Sequence, residues 1–320
     1  MTPSRASALQ LCPFSPYLEA ALNERFTVVR WFALSDAERT AWLAQGAGSV
    51  RAVITGGHVG CSNALMKALP SLGIIAINGV GVDKVDLQLA RSRGVRVGTT
   101  PGALTDDVAD LAVGLIIGLL RGIPAAEVYV RSGEWVKGEW PLGRKVSGRR
   151  FGIVGLGHIG TALAIRLAPF GEVAYTNPKP KNAPYPYHAD VLSLARACNT
   201  LILTCPATAA TRHLANAAVF DALGPQGCLV NVARGSVVDQ TALIAALQAG
   251  RLGGAALDVY EEEPNVPEAL RLCPNTVLTP HMASATHETR TRMADIVLQH
   301  LDACLSGAPE PVIQHSSSPR

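Results

Sequence analysis

The sequence has no pair of cysteines at a metal or redox spacing. Its seven cysteines (Cys12, Cys61, Cys198, Cys205, Cys228, Cys273, Cys304) are odd in number and scattered, with no CxxC among them. That argues against a disulfide framework and a zinc module, and implies reduced thiols in a cytoplasmic protein with no bound metal. Behind Arg5 there is no apolar stretch of the kind a secretory leader needs, so no signal peptide is expected. No run reaches bilayer length. The most apolar one, Leu111 to Leu120, is bracketed by Asp110 and Arg121 and reads as a buried helix. Strong charge of either sign is also missing: a formal net charge of +3 is too small to argue for nucleic acid or a membrane surface as partner. What is present is a chain of 320 residues, 48% hydrophobic, enough for two domains of ordinary size with substantial cores.

Residues 1–50 are weakly patterned, with a strand expected at Phe26–Val29 and a helix near Asp36–Ala44. Strands follow at Ala52–Thr55, ending in Gly56-Gly57, and at Ile74–Ile77, ending in Asn78-Gly79-Val80-Gly81-Val82-Asp83. A helix over Lys84–Arg93 leads through Gly94 to a third strand at Val95–Val97. This alternation implies a parallel sheet covered on both faces. Thr100-Pro101-Gly102 interrupts it, and Thr105 is expected to cap a long helix whose first turn holds Asp106 and Asp107, placed to complement the helix dipole. Residues 122–148 show no sheet signal and carry Trp135 and Trp140 among Gly, Lys and Arg. From Phe151 the alternation resumes, with six strand candidates near residues 151, 172, 200, 228, 254 and 276, matching a complete doubly wound dinucleotide fold. A helix over Thr286–Leu305 closes the pattern, and His315–Arg320 reads as a disordered tail.

The organising stretch is Phe151 to Val154, a short apolar strand that runs into Gly155-x-Gly157-x-x-Gly160 and then a helical pattern from Ile159 to Phe170. In a nucleotide-binding turn, Gly155 permits the tight bend and Gly157 lets backbone approach a pyrophosphate. Gly160 lets helix and strand pack closely. The helix N-terminus presents N–H groups and a positive dipole end to phosphate. Ligands of open α/β sheets bind beyond the carboxyl ends of the strands. Three such ends carry reactive side chains: Leu229–Val232 runs into Ala233-Arg234-Gly235, Ala255–Asp258 into Val259-Tyr260-Glu261-Glu262-Glu263-Pro264, and Val277–Thr279 into Pro280-His281. Topology alone therefore gathers Arg234, an acid and His281 on one rim. Plainer readings stand beside these: a solvated arginine for Arg234, a structural strand-end carboxylate for Asp258, and a solvated loop for Glu261 and Glu262.

These segments, together with Leu104-Thr105-Asp106-Asp107-Val108-Ala109-Asp110, Cys205-Pro206 and Asn231-Val232, resemble the D-isomer-specific 2-hydroxyacid dehydrogenases. Within that family the likeness is to the glyoxylate/hydroxypyruvate and hydroxyphenylpyruvate reductases. It covers about Gly56 to Pro311. The resemblance implies an α/β protein of two doubly wound parallel-sheet domains. A Rossmann cofactor domain (about 100–287) would be inserted into a flavodoxin-like substrate domain (1–99 with 288–320), with hinges near Thr100 and Ser284–Thr286. It implies that Arg234 holds the substrate carboxylate and keto oxygen, and that His281 donates the proton as hydride arrives. Glu263 would pair with His281, an opposite charge that favours the protonated imidazole. Backbone N–H groups at Val80 and Gly81 would grip the carboxylate. The cofactor would be lined by Gly155, Gly157, His158, Ile159, Gly160, Thr176, Asn177, Lys179, Cys205, Pro206, Thr211, Val232, Ala233, Asp258 and Ala283. Cys205 would serve as lining and not as a nucleophile.

Two further expectations follow. No acid stands between Glu172 and Asp190, where an NAD site places one, and the strand Val173–Tyr175 instead ends in Thr176-Asn177-Pro178-Lys179-Pro180-Lys181. That favours NADP over NAD, with NAD still usable, since Pro178 replaces the arginine that NADP-using relatives carry and lysine lacks its bidentate fork. Residues 122–148 are expected to form the arm of a homodimer, with Trp140 reaching the partner's substrate site as in the glyoxylate/hydroxypyruvate reductases. The rivals are other branches of the family (2-ketogluconate or phenylpyruvate reductase, phosphoglycerate or formate dehydrogenase) and a nucleotide-sensing, corepressor-like binding protein.

Overall fold

The computed structural model describes residues 5–308, so the expected tail at His315–Arg320 lies outside the described residues. The chain forms two compact units, one of residues up to Leu104 together with those from Ala285 onward, the other Thr105–Ser284. The first begins β1 (Ser7–Gln10), α1 (Pro16–Arg25), β2 (Thr27–Arg30), α2 (Asp36–Gly46), β3 (Val50–Gly56), α3 (Asn63–Ala68), β4 (Ile74–Asn78), α4 (Leu87–Ser92) and β5 (Arg96–Gly98). Its strands are all parallel in the order β2-β1-β3-β4-β5, the flavodoxin-like winding. β1 and α1 escape the sequence pattern. Ser7-Ala8-Leu9-Gln10 has no β-branched residue, and α1 buries only Leu18 and Leu22. α1 starts where it does because the Ser15 side chain caps it, accepting from Leu18 N, and Pro16 follows. α4 is shorter than the expected Lys84–Arg93, since the Asp86 carboxylate accepts from Leu89 N at 2.9 Å and sets the helix start there.

The second unit comprises α5 (Thr105–Arg121), α6 (Ile123–Arg131), β6 (Arg149–Val154), α7 (His158–Leu167), β7 (Gly171–Thr176), β8 (Tyr187–His188), α8 (Val191–Ala197) and β9 (Thr200–Leu203). It continues with α9 (Ala217–Leu223), β10 (Cys228–Asn231), α10 (Gln240–Gln248), β11 (Gly254–Leu257), α11 (Glu268–Arg271) and β12 (Thr276–Leu278). The strand order is β12-β11-β10-β9-β6-β7-β8, all parallel. The sheet has seven strands where six were expected. The extra one, β8, is two residues long at the edge, and the prolines of Ala183-Pro184-Tyr185-Pro186 mask it. β9, β10 and β11 are buried on both faces, which is why they read as unbroken apolar runs. Thr105 proves to be the first residue of α5 and not its cap. Along α5, Val108, Ala112, Leu115 and Ile116 are buried.

Residues 122–148 hold α6 and a single 3-10 turn at Glu134–Lys137, with no strand. The chain then returns to the first unit as α12 (His287–Leu305), capped by Thr286. Ala294, Val297, Leu298 and Leu301 of α12 pack with Leu18, Leu22, Ile54 and Ile74. Each such buried leucine contributes about 1.5–3 kcal/mol. Among the described residues no single helix is long and apolar enough to cross a membrane; α5 and α6 together pass that test on composition but are bent by 63°.

Candidate active site

At the carboxyl end of β6 the chain turns sharply through Gly155, whose φ of +100° and 2.7 Å approach to Cys205 leave no place for a Cβ. A Cβ on Gly160 would lie 2.2 Å from Gly155 O, so this glycine is what lets α7 sit against the turn, whereas Gly157 faces open space. Gly155 N–H donates to Thr176 O at 3.0 Å, and the Asn177 Oδ1 accepts from Leu156 N at 2.8 Å. The end of β7 is thus bound to the glycine turn. Thr176 is buried, while Lys179 and Lys181 are exposed. The loop carrying them is folded back by Tyr175, whose buried hydroxyl accepts from Lys181 N at 2.8 Å and donates to Lys181 O at 3.0 Å. Nothing in the sequence pattern singled out that tyrosine.

Strands β10, β11 and β12 lie side by side in register, Asn231 opposite Leu257 and Leu257 opposite Leu278. Their carboxyl ends therefore reach the same level. After β10, buried Asn231 shapes the next turn: its Oδ1 accepts from Ala233 N and its Nδ2 donates to Arg234 O, both at 3.0 Å. Arg234 Nη1 donates to Ala233 O at 2.7 Å. Gly235 follows because a Cβ there would stand 1.9 Å from the carbonyl of Tyr260. The Arg234 turn is in this way pressed against the loop that leaves β11.

That loop delivers Glu263. Its Oε1 accepts from Tyr260 N at 3.0 Å and its Oε2 lies 2.7 Å from His281 Nδ1. Nδ1 is thus the ring nitrogen turned to the carboxylate. His281 has a left-handed backbone, φ 53°, which costs a non-glycine residue about 1–2 kcal/mol. The turn is held by Asp258, which is 1% exposed. Its carboxylate accepts from Thr279 Oγ1 (2.6 Å), Met282 N (2.9 Å) and Ala283 N (3.0 Å), and its carbonyl accepts from His281 N (2.8 Å). Asp258 therefore builds the histidine turn. The Tyr260 hydroxyl, 2.9 Å from Thr279 O, has its pKa pushed up to about 12 by burial and by the charges of Asp258 and Glu263. Glu261, in the exposed loop read above as solvated, also pairs with His213, Nε2 to Oε1 at 2.6 Å.

Residues 113–283 match the family model "D-isomer specific 2-hydroxyacid dehydrogenase, NAD binding domain". The chain is 47% identical over 303 residues to hydroxyphenylpyruvate reductase of Plectranthus scutellarioides, covering 94% of this chain and 96% of that one. It is 45% identical over 301 residues to glyoxylate/hydroxypyruvate reductase A of Arabidopsis thaliana, covering 93% and 96%. The chain belongs to the D-isomer specific 2-hydroxyacid dehydrogenases. Among solved structures of the family, the NADPH-dependent glyoxylate/hydroxypyruvate reductase of Sinorhizobium meliloti, in complex with NADP and malonate, superposes with a TM-score of 0.87 at 42% identity over 97% of each chain. This family member is accordingly an NAD(P)-dependent oxidoreductase of keto and hydroxy acids.

A dinucleotide fits the dehydrogenase's glycine turn on structural grounds. The helices α1, α2, α3, α4, α8, α9, α10 and α12 each have a Ser, Asp, Asn or Thr side chain over the first turn, but α7 has Gly157 and no side-chain cap. The N–H groups at His158, Ile159 and Gly160 thus open onto the space beside Gly157, the setting in which helix termini hold phosphate. Val232 and Ala233 are buried beneath the Arg234 turn, and Pro206 is exposed after β9. Thr211 shapes that loop, its Oγ1 donating to Pro206 O at 2.7 Å. Cys205 is buried and its thiol is pushed up to about 11 by that burial, in keeping with a lining role. In the other unit, Val80 and Gly81 lie in the loop after β4, Val80 exposed. Trp140 packs on Tyr129 with ring centroids 5.2 Å apart. Among the described residues no group of three or more His, Cys, Asp or Glu is placed to hold a metal.

Proposed function

We propose that the protein reduces small 2-keto acids, glyoxylate and hydroxypyruvate foremost, to D-2-hydroxy acids, uses NADPH in preference to NADH, and works as a homodimer. The Glu263–His281 pair at 2.7 Å, on the same strand-end rim as Arg234, carries this reading. The bound nicotinamide supplies the hydride. Arg234 orients the keto acid, its planar fork suited to carboxylate and keto oxygens together. As charge grows on the keto oxygen, the guanidinium stabilises it in place. His281 delivers the proton from Nε2, and Glu263 holds the ring at Nδ1 and stabilises its cationic form.

NADPH preference is supported by the absence of an acid after β7 and by the exposed Lys179 and Lys181 on a loop that Tyr175 folds back. Dimerisation is supported by apolar side chains left uncovered between residues 122 and 148: Trp135 is 65% exposed, Val136 90% and Leu142 101%. Aromatic residues are favoured in interface cores. The experiment is a panel of glyoxylate, hydroxypyruvate, hydroxyphenylpyruvate, phenylpyruvate and 2-ketogluconate, each with NADPH and NADH. The expected result is the highest kcat/KM on glyoxylate or hydroxypyruvate with NADPH. No turnover of any 2-keto acid would refute the reading.

A further inference from the structure

Among the described residues two non-glycine side chains sit on left-handed backbone, His281 (φ 53°) and His213 (φ 49°). Both face carboxylates of one short loop, Glu263 and Glu261. The proposed chemistry uses the first pair and leaves the second without a task. His213 Nε2 lies 2.6 Å from Glu261 Oε1, with the side chains 36% and 27% exposed. The backbone of His213 is committed elsewhere: its N–H donates to Ser236 O at 2.9 Å, inside the turn that follows Arg234. His213 therefore holds the Arg234 turn through its main chain and the Glu263 loop through its ring.

We infer that His213 and Glu261 are positioning residues, a strap that keeps the Glu263 carboxylate seated on His281. Residues 261–264 are exposed, so little packing steadies the loop between Tyr260 and Pro264. Glu261 N reaches Gln240 Oε1 only at 3.4 Å, which makes the 2.6 Å pair to His213 the short tether on that side. A pair as accessible to solvent as this one adds little to global stability. Its effect is on geometry, and catalysis is steep in geometry, since a misplacement of about 1 Å can cost on the order of 10²-fold in rate. The inference rests on Glu263–His281 being the acid pair of 2-keto acid reduction.

Three variants test it. His213→Asn keeps a residue that tolerates left-handed φ but is too short to reach Glu261. Glu261→Gln loses the charge yet keeps an oxygen for the imidazole, and Glu261→Ala loses both. In His213→Asn and Glu261→Ala, kcat for reduction is expected to fall about 5–20-fold, with KM for keto acid and cofactor within about twofold and Tm within about 2 °C. Glu261→Gln should recover most of the loss. Hydrogen exchange at the Tyr260 amide, which donates to Glu263 Oε1, should quicken in the two disabling variants, a readout that needs no turnover. Unchanged kcat in both, KM and Tm changing alongside kcat, Glu261→Gln as damaged as Glu261→Ala, or unaltered Tyr260 exchange would each overturn the strap. If the parent protein turns over no 2-keto acid, the functional reading fails, while the exchange measurement still decides the strap.

Discussion

A Cβ at position 235 has nowhere to go, because the carbonyl carbon and oxygen of Tyr260 lie 1.9 Å from where it would stand. Gly235→Ala must push the Arg234 turn away from the loop that carries Glu263. Overpacking of this kind costs about 1–3 kcal/mol, so a fall of several degrees in Tm is expected together with loss of turnover. A variant with the parent's Tm and kcat would show that the contact yields easily. The acid pair itself calls for a different signature. His281→Gln should lower kcat about 10²–10⁴-fold and leave cofactor affinity nearly intact, whereas Arg234→Ala should damage substrate KM and kcat together. Near-parent turnover in either variant removes that residue from the mechanism.

Among the elements, the loop between β7 and β8 is the one proposed to set the dinucleotide preference. Its lysines are exposed, and Tyr175 fixes its path by clasping the main chain of Lys181. If Lys179 and Lys181 meet a 2′-phosphate, Lys179→Ala and Lys181→Ala should each cut the NADPH:NADH ratio of kcat/KM by about 5–30-fold, the range of one charge-assisted contact of about 1–2 kcal/mol. Tyr175→Phe should lower the ratio without any change of charge. A parent enzyme that uses NADH tenfold better defeats the proposal. An unchanged ratio in all three variants would shift the selectivity to Asn177, whose Oδ1 is already engaged by Leu156 N.

For the whole molecule, two measurements bear on assembly and stability. Sedimentation at micromolar concentration should show a dimer, and Val136→Asp, at a side chain now 90% exposed, should yield monomers; a monomeric parent protein would end the arm proposal. Stability should also fall in alkali. Burial raises the thiols of Cys12, Cys61 and Cys205 from 9.0 to about 11 and that of Cys198 to about 12. The folded state therefore keeps protons that the unfolded chain releases near pH 9, so the stabilisation is complete below that pH and is lost as pH rises toward 11–12. Tm should be level up to about pH 9 and fall steeply beyond it, with a shallower slope in Cys198→Ala. A flat Tm to pH 11 would contradict that account.

Period and punctuation determined much of this protein before any fold was known. The apolar runs that become β6, β9, β10 and β11 are legible because strands buried on both faces need unbroken hydrophobic side chains. The Gly155-x-Gly157-x-x-Gly160 turn is legible because only glycine satisfies the φ at position 155 and the close contacts at positions 155 and 160. Parallel winding then sends the segments after β10, β11 and β12 to one rim, so Arg234, an acid and His281 could be placed there from order along the chain, while the resemblance to the family singled out Glu263 as that acid. What required the tertiary structure is everything set by side chains meeting from distant segments. β8 is two residues that directly follow Pro186 and exists because β7 offers it an edge. Asp258 closes the His281 turn, Tyr175 folds the lysine loop, and Glu261 meets His213 across 48 positions of sequence. Such contacts have no period and no local signal, since each depends on where another part of the chain has been placed by the sheet.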